Sequence, residues 1–459
     1  MIVLTVSNKL VRFSSELSYS DVPADALTNA KLHTLDTIGV VLAASRDETT
    51  QSVKRAMTAL GGNSEASIFG SADRSSAPAA ALINSAAAHG PDFDDTHQGS
   101  VIHISSVVVP TSLAVAESVA ASGKDLLTAI VTGYETTTRL GMAAPGKFHV
   151  RGYHATALVG IFGAVLIAGK LRGLDADTQV NALGIAGSQA SGILECLNAK
   201  SSLKQIQPGW AAYSGIISTL FAQEGVTGPD TVFEGRYGFF PSFLPDGDYD
   251  LSKAVEGLGE KWEVNDIAYK LYPCCHHTQA FLDCLKELAS TRSLSPEDVE
   301  QVECIISPMQ AELLCHPIED RYEPKTPYTA KFSLPYVVSV MLHHGRVGLR
   351  EFSEELIADR EIIDFARRVT LVEDETVGYP GAFPGWVRVH LRDGEVLERR
   401  IPANRGAQEN PASEEEIIEK FDANASLVLS SEKAERLKDQ ILHLEDLADV
   451  RDLAAGVAT

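Results

Sequence analysis

The chain has 459 residues, of which 44% are hydrophobic, and this length predicts more than one hydrophobic core. Its formal net charge of −23 argues against nucleic acid or an anionic membrane as a partner, because both bind clustered lysines and arginines. An acidic protein that binds an anionic substrate must therefore gather its cations locally, inside the site.

The N-terminal segment predicts no signal peptide, because it lacks a basic stretch followed by a sustained apolar run and a small-residue cleavage site. The most apolar stretch, residues 155–169, is shorter than the roughly 18 residues of a membrane-spanning helix. Its many glycines and alanines indicate a helix packed closely in a protein interior. The six cysteines form no C-x-x-C pair, so we expect reduced thiols and a cytoplasmic protein.

The first half of the chain predicts one helix after another. Apolar residues recur at helical spacing in segments 27–44, 79–88, 112–121, 126–140 and 177–194.

The pattern changes after about residue 267. Residues 299–307 alternate between apolar and polar side chains, which predicts a strand. Residues 386–400 predict two strands joined at Asp393-Gly394, a strong hairpin turn. Between these strands, residues 332–343 and 349–365 predict helices.

Helical signals return near the C-terminus. Ser413 and Glu416 form a capping box, and residues 431–455 have helical spacing. We therefore predict a fold that is mainly α with an α+β insertion. Its discontinuous helical domain comprises residues 1–267 and 403–459, and its α+β domain comprises residues 268–402. We expect a site at the junction of the two domains, where ligand pockets often lie.

The densest group of ionisable residues is HGPDFDDTH (89–97), which His103 follows. If the segment were helical, positions 89, 92 and 96 would share a face, but Pro91 disfavours an uninterrupted helix. The group fits a metal site, or a general acid–base pair in which a carboxylate and an imidazole tune each other. The start of a helix with surface histidines explains it equally well.

Three later motifs also carry ionisable side chains. His154 precedes the small-residue helix, where it could simply cap the helix, and Lys204 could be solvated or could hold a carboxylate. In YPCCHHTQ (272–279), two adjacent histidines would point to opposite sides of a strand, which disfavours a shared metal.

Several well-known motifs are absent from the sequence. It contains no Gly-rich phosphate loop, no G-x-G-x-x-G after a strand, no H-E-x-x-H and no G-x-S-x-G. Hydride transfer, nucleotide hydrolysis and α/β-hydrolase chemistry therefore lose support, and acid–base chemistry remains.

Taken together, the motifs resemble the MmgE/PrpD family over nearly the whole chain. This family includes 2-methylcitrate dehydratase, cis-aconitate decarboxylase and iminodisuccinate epimerase. The resemblance rests on the number and order of eight segments: LDTIGVVLAAS (35–45), AALINSAAAHGPDFDDTH (80–97), RGYHATALVGIFGAVLIAGKLRGLD (151–175), ALGIAGSQASGILE (182–195), LKQIQPGWAA (203–212), YPCCHHTQ (272–279), AKFSLPY (330–336) and RVHLRDG (388–394).

The resemblance implies a homodimer, a large helical domain with a smaller lid domain, and catalysis without a metal or an organic cofactor. It implies catalytic roles for Asp92, His103, His154, Lys204 and Tyr336. It implies substrate-binding roles for Thr96, His276, His277 and Gln279.

The sequence departs from the family pattern in three places. Gly90-Pro91 replaces larger residues, and the loop that leads to His103 is slightly longer than in the decarboxylases. Gln279 stands where many members have a histidine, for which His276 or His277 could substitute.

The shared chemistry of the family is the transfer of a proton next to a carboxylate of a small polycarboxylic acid. We expect His103 to be the base, oriented by Asp92, and His154 or Tyr336 to be the acid. Lys204, His103 and His154 would supply the local positive lining of the site. We favour a lyase, either a dehydratase or a decarboxylase, and an epimerase is the alternative.

Two hypotheses from other classes also follow from the sequence. A metal-dependent hydrolase would use as ligands His89, Asp92, Asp95 and His97. A non-catalytic binding protein would lack the catalytic residues. The presence of Lys204 and His154 disfavours this hypothesis.

Overall fold

The computed structural model describes residues 4–199, 201–377 and 383–453. By their contacts the residues form two compact units. The first unit comprises Met1–Gly90, Asp94–Ala268 and Ser413–Thr459, and the second comprises Pro91–Phe93 and Tyr269–Ala412.

Helices make up most of the structure, as the apolar spacing predicts. In chain order they are α1 (Val6–Glu16), α2 (Ala24–Ala44), α3 (Glu48–Leu60), α4 (Ala77–His89), α5 (Ser105–Ser118), α6 (Gly123–Met142), α7 (Lys147–Val150), α8 (Ala155–Leu171), α9 (Ala176–Gly187), α10 (Glu195–Asn198), α11 (Leu203–Gln223), α12 (Phe239–Phe243), α13 (His276–Thr291), α14 (Pro308–Cys315), α15 (Ile318–Tyr322), α16 (Pro327–Ala330), α17 (Leu334–His344), α18 (Glu354–Ile357), α19 (Arg360–Ala366), α20 (Glu414–Ala425) and α21 (Ser431–Leu442). Helices α13–α19 belong to the second unit, and the others belong to the first.

The strands are short except in the second unit. In chain order they are β1 (Ala66–Ser67), β2 (Arg74–Ser75), β3 (Thr96–His97), β4 (Ile267–Ala268), β5 (Val299–Ile306), β6 (Val369–Glu373), β7 (Gly385–Leu391) and β8 (Val396–Ile401). Strands β1 and β2 form one antiparallel pair, and β3 and β4 form another.

Close helix packing in the first unit fixes the elements that carry the ionisable residues. Helix α8 is buried along nearly its whole length, and α11 packs against both α8 and α4. At Gly209 on α11, a Cβ atom would lie 2.6 Å from the Leu82 carbonyl oxygen on α4, so only glycine permits this approach. The first turn of α11 is thereby held close to the last turn of α4.

The second unit is built around a four-stranded sheet in the order β6-β5-β7-β8. Strand β5 is parallel to β6 and antiparallel to β7, and β7 is antiparallel to β8. The strand expected at residues 299–307 and the hairpin around Asp393-Gly394 are thus confirmed. The sheet and α13 pack so closely that a Cβ atom at Gly385 would lie 2.4 Å from the Ala280 carbonyl oxygen.

The predicted fold class, mainly α with a smaller α+β part, is confirmed, and most of the differences concern helix ends. The single helix predicted at residues 349–365 is wrong, because this segment forms a 3-10 helix (Leu349–Phe352) followed by the short helices α18 and α19. Helix α5 begins at Ser105, before the predicted residue 112, although Pro110 lies inside it. Pro110 lacks the N–H that would bond to the Ser106 carbonyl, and Ser85 Oγ on α4 donates to that carbonyl instead.

Two other predicted helices are shorter in the structure than in the prediction. Helix α9 ends at Gly187, before the predicted residue 194, because the chain turns into an irregular segment that contains Gly192 at φ +138°. Helix α21 ends at Leu442, and the last two residues of the predicted 431–455 helix lie outside the described residues.

No helix within the described residues combines the length and the apolar character that crossing a membrane requires.

Candidate active site

In the segment that links α4 to α5, the carboxylates of Asp92 and Asp94 lie in different surroundings. Helix α4 ends at His89, so the helical face considered for positions 89, 92 and 96 does not form. Asp92 has a φ of 55°, which is uncommon for a residue other than glycine. Pro91–Phe93 belongs to the second unit, whereas Asp94 returns to the first.

His103 is held through its Nδ1 atom. This nitrogen lies 3.2 Å from the Asp95 carbonyl oxygen and 3.2 Å from Thr96 Oγ1. Because a carbonyl oxygen can only accept, Nδ1 carries the hydrogen, and Nε2 carries the lone pair of the neutral ring. Asp94 Oδ1 lies 3.6 Å from the same Nδ1, where its charge stabilises the imidazolium that forms when Nε2 takes a proton.

His89 joins Lys204 to the Asp94 carboxylate. Lys204 Nζ lies 3.0 Å from His89 Nε2, and His89 Nδ1 lies 2.6 Å from Asp94 Oδ2. An ammonium group can only donate, so Nε2 accepts from Lys204 and Nδ1 donates to Asp94. Lys204, His89 and Asp94 thus form a hydrogen-bonded chain that ends beside His103.

His154 is oriented by Gln207 on α11. Gln207 Nε2 donates to the Ile193 carbonyl, so its Oε1 atom faces His154 Nδ1 at 2.8 Å and accepts a hydrogen from it. His154 Nε2 is buried and has no hydrogen-bond partner among the described residues. Burial lowers the pKa of His154 well below the usual imidazole range, and the charge of Lys204 lowers it further. His154 is therefore neutral near pH 7.

His149, on α7, extends this group. Its ring centroid lies 6.3 Å from that of His154, which lies 5.3 Å from that of His89, which lies 5.1 Å from that of His103. Burial, and then the charge of Lys204, lower the pKa of His149 to about 4. We call these four rings the histidine row; Lys204 and Asp94 supply its fixed charges.

Asp95 supports the segment that carries His103. His33 Nδ1 lies 2.8 Å from Asp95 Oδ2, and the Ser105 backbone N–H donates to Asp95 Oδ1 at 3.1 Å. The Ser105 hydroxyl also contacts Asp95 and lies 2.7 Å from the Tyr134 hydroxyl oxygen. The Asp95 carboxylate therefore fixes the first turn of α5 immediately after His103.

The ligand set expected for a metal-dependent hydrolase is not the set that the structure brings together. Within the described ranges, the potential ligand atoms that lie within 4.8 Å of one another belong to His89, Asp94 and His103. Of the other expected ligands, Asp95 contacts His33 and the Ser105 N–H, and His97 contacts Ser100 Oγ at 2.9 Å. Lys204 Nζ beside His89 also places a positive charge where a metal cation would be repelled.

Asp92 lies in a second group of charged residues, within the second unit. Lys270 Nζ lies 3.2 Å from Asp92 Oδ1 and 3.2 Å from its carbonyl oxygen. Lys331 Nζ donates to the Pro91 carbonyl, and both lysines are buried. These contacts hold the Pro91–Phe93 segment.

His276 and His277 begin helix α13 and do not lie on a strand, so the expected alternation of their side chains does not apply. Asn404 Nδ2 donates to His276 Nε2 at 2.9 Å. Burial, and then the charge of Lys270, lower the pKa of His276 to about 3 and that of His277 to about 4. Both rings are therefore neutral near pH 7.

Gln279 and Tyr336 are fully buried and bonded to backbone groups. Gln279 Oε1 accepts from the Leu271 N–H, and its Nε2 donates to the Tyr272 carbonyl, so this side chain holds the 271–274 segment. The Tyr336 hydroxyl donates to the Glu351 carbonyl at 2.7 Å. Burial, followed by the charge of Glu351, raises the pKa of the Tyr336 phenol above its usual range.

The residues expected from the sequence thus fall into two groups. The first unit brings together Thr96, His103, His154 and Lys204. The second unit contains Asp92, His276, His277, Gln279 and Tyr336. His89 was expected only as a possible metal ligand, and no catalytic or binding role was predicted from the sequence for Asp94, His149 or Gln207. One signal was available for Gln207, because it stands three residues after Lys204 and so shares its helix face.

Comparison with known proteins agrees with these motifs. The model of the MmgE/PrpD N-terminal domain matches residues 8–252, and that of the MmgE/PrpD C-terminal domain matches residues 272–446. A cis-aconitate decarboxylase-like protein, oryM, from Aspergillus oryzae is 29% identical over 99% of this chain and 97% of its own. The cis-aconitate decarboxylase of Aspergillus terreus is 28% identical over 98% of this chain and 95% of its own. The human cis-aconitate decarboxylase is 28% identical over 92% of this chain and 88% of its own.

Proposed function

The chain belongs to the MmgE/PrpD family, and from this premise we propose that it is a lyase that decarboxylates a small unsaturated polycarboxylic acid resembling cis-aconitate. The observation that carries the proposal is the hydrogen-bonded chain Lys204–His89–Asp94, which ends beside His103. None of the relatives named above is an epimerase, and dehydration of a related acid is the second candidate because it also needs a proton transferred, in the opposite direction, at a carbon next to a carboxylate.

We assign the proton transfer to His103. In a decarboxylation, its imidazolium gives the Nε2 proton to an alkene carbon next to a carboxylate. The π electrons of the old double bond form the new C–H bond. The bond from the allylic carbon, on the other side of the alkene, to the departing carboxylate breaks, its electron pair forms the new double bond to the central carbon, and carbon dioxide leaves. In a dehydration, the neutral ring takes the proton instead. Asp94 stabilises the imidazolium in both cases.

Lys204 and His154 supply the positive lining in this proposal. Lys204 is a fixed cation, whereas His154 is neutral until a carboxylate binds near Nε2 and favours the imidazolium. A protonated His154 can then hold the carboxylate, or act as the acid in a dehydration. Tyr336, the other predicted acid, donates its hydroxyl to Glu351, so we assign the role to His154. Roles for Asp92, Thr96, His276, His277 and Gln279 stay predictions.

We further propose a homodimer that works without a metal or an organic cofactor. The charge of Lys204 beside His89 supports the absence of a metal in the mechanism.

Helix α11 exposes Leu203, Trp210 and Phe221, each by 46–48%, and exposed apolar side chains on one helix are typical of an interface. Light scattering in solution measures the stoichiometry, and the cytoplasmic location stays a prediction.

The experiment that tests the activity uses cis-aconitate together with citrate-type and succinate-type acids in ²H₂O. Proton NMR and carbon dioxide release report the outcome. Carbon dioxide release with one deuterium next to a carboxylate supports decarboxylation, and loss of water without carbon dioxide supports the dehydratase. Deuterium exchange without loss of carbon dioxide or water supports the epimerase. If no acid is turned over or exchanges a proton, the proposal fails. Activity that disappears with a chelator and returns with a metal overturns cofactor independence.

The contact between Gln207 and His154 gives a separate prediction. We expect Gln207→Leu to lower kcat/KM about 10-fold, because the ring loses a buried hydrogen bond. In Gln207→Glu, a carboxylate beside Nδ1 favours the imidazolium, so the pKa of His154 rises and the pH profile of kcat/KM moves to higher pH. Initial rates across pH 5–9 measure both effects. A Glu variant whose profile does not move contradicts the assignment.

A further inference from the structure

His149 is the member of the histidine row that the proposed reaction does not use. It lies on the short helix α7, is half-buried, and its ring is 6.3 Å from that of His154. Its Nδ1 atom is buried and has no hydrogen-bond partner among the described residues. A buried polar nitrogen without a partner costs stability, so its presence requires an explanation.

The same row contains a second nitrogen of this kind, His154 Nε2. The charge that acts on both rings is that of Lys204, with neighbouring imidazoles adding to it at His154. Asp94 serves the other end of the row, where it contacts His89 and His103. The end formed by His154 and His149 therefore presents a positive potential and two nitrogens that need partners, a combination that suits anionic oxygens.

His149 can bind such an oxygen without changing its charge. A neutral imidazole donates from whichever nitrogen carries its hydrogen, so the Nδ1–H tautomer can donate to a carboxylate. His89 and His154 separate His149 from His103 along the row. A carboxylate bound at His149 is therefore a different carboxylate of the substrate from the carboxylate next to the carbon that exchanges a proton with His103.

We propose that His149 binds a carboxylate remote from the reacting carbon and thereby sets a preference for tricarboxylates over dicarboxylates. This inference rests on the proposed function, since it takes the histidine row as the binding site for a polycarboxylic acid. His149 is a specificity-determining residue in this proposal, and it takes no part in the proton transfer.

The test measures binding, so that it does not depend on turnover. Calorimetry with three saturated acids compares wild type with His149→Phe: propane-1,2,3-tricarboxylate, pentanedioate, which lacks the middle carboxylate, and 2-methylbutanedioate, which lacks a terminal one. We expect the tricarboxylate to bind about 10-fold more weakly to the variant, as for a lost hydrogen bond to a charged group. At least one dicarboxylate should bind equally well to both proteins, because it lacks the carboxylate that His149 contacts.

Further variants keep the test decisive. His149→Asn replaces a half-buried ring with a smaller polar group if the Phe variant does not fold, and His149→Lys should restore tricarboxylate binding. His443→Phe changes an exposed histidine on the surface and should bind all three acids as wild type does. Equal weakening for all three acids, or no weakening for any, overturns the role of His149. If wild type binds none of them, the proposed function itself fails.

Discussion

Replacing His103 with alanine is expected to lower kcat by about three orders of magnitude, within the ~10²–10⁴-fold range typical of a general acid or base. The Nε2 atom of His103 is the group to which we assign the proton transfer, and the contacts of Nδ1 with Asp95 and Thr96 set its tautomer. KM should change little, because Lys204 and His154 supply the anion contacts. Initial rates of carbon dioxide release at saturating substrate measure the effect.

Two controls separate lost chemistry from lost structure. The His103 side chain is 20% exposed, so added imidazole should enter the space left in His103→Ala and restore part of the activity. His443→Ala removes an exposed histidine and should keep wild-type rates. A folded His103→Ala protein with wild-type turnover contradicts the assignment.

Much of the fold could be predicted because apolar periodicity is a local property. Helices α2, α6 and α8 lie within a few residues of their predicted positions, and the Asp393-Gly394 turn joins β7 to β8 as expected. The start of α5 could not be predicted in this way. Pro110 has no N–H for the Ser106 carbonyl, and the Ser85 hydroxyl of α4 donates to that carbonyl instead. That contact exists only after the two helices pack.

The site was predicted less completely, for a related reason. The motif HGPDFDDTH marked the segment, but it gave no means of deciding which aspartate faces His103. In the structure Asp94 contacts His89, whereas Asp92, whose backbone is left-handed, pairs with Lys270. A backbone conformation that an aspartate adopts only occasionally cannot be inferred from residue spacing. The bridging role of His89 likewise depends on the approach of α11 to α4.

Lys204→Met should have the second large effect, in both kinetic constants. Lys204 is the fixed cation of the histidine row, and it also holds His89 in the tautomer that donates to Asp94. Removing it takes away charge that stabilises the anionic transition state, which typically costs ~10²–10³ in kcat. KM should rise as well, because the bound carboxylates lose the same attraction.

The substitution also tests whether Lys204 acts as a charge alone. Lys204→Arg keeps the cation but spreads it over a planar group, so we expect KM to recover more fully than kcat, which requires the position beside His89. Lys253→Met removes an exposed lysine paired with Glu256 and should leave both constants unchanged. Losing the Lys204 charge should also raise the pKa of His154, because that charge lowers it in wild type. A Lys204→Met enzyme with unchanged kcat and an unshifted pH profile contradicts a charge-coupled site, and Lys204 would then be a solvated lysine.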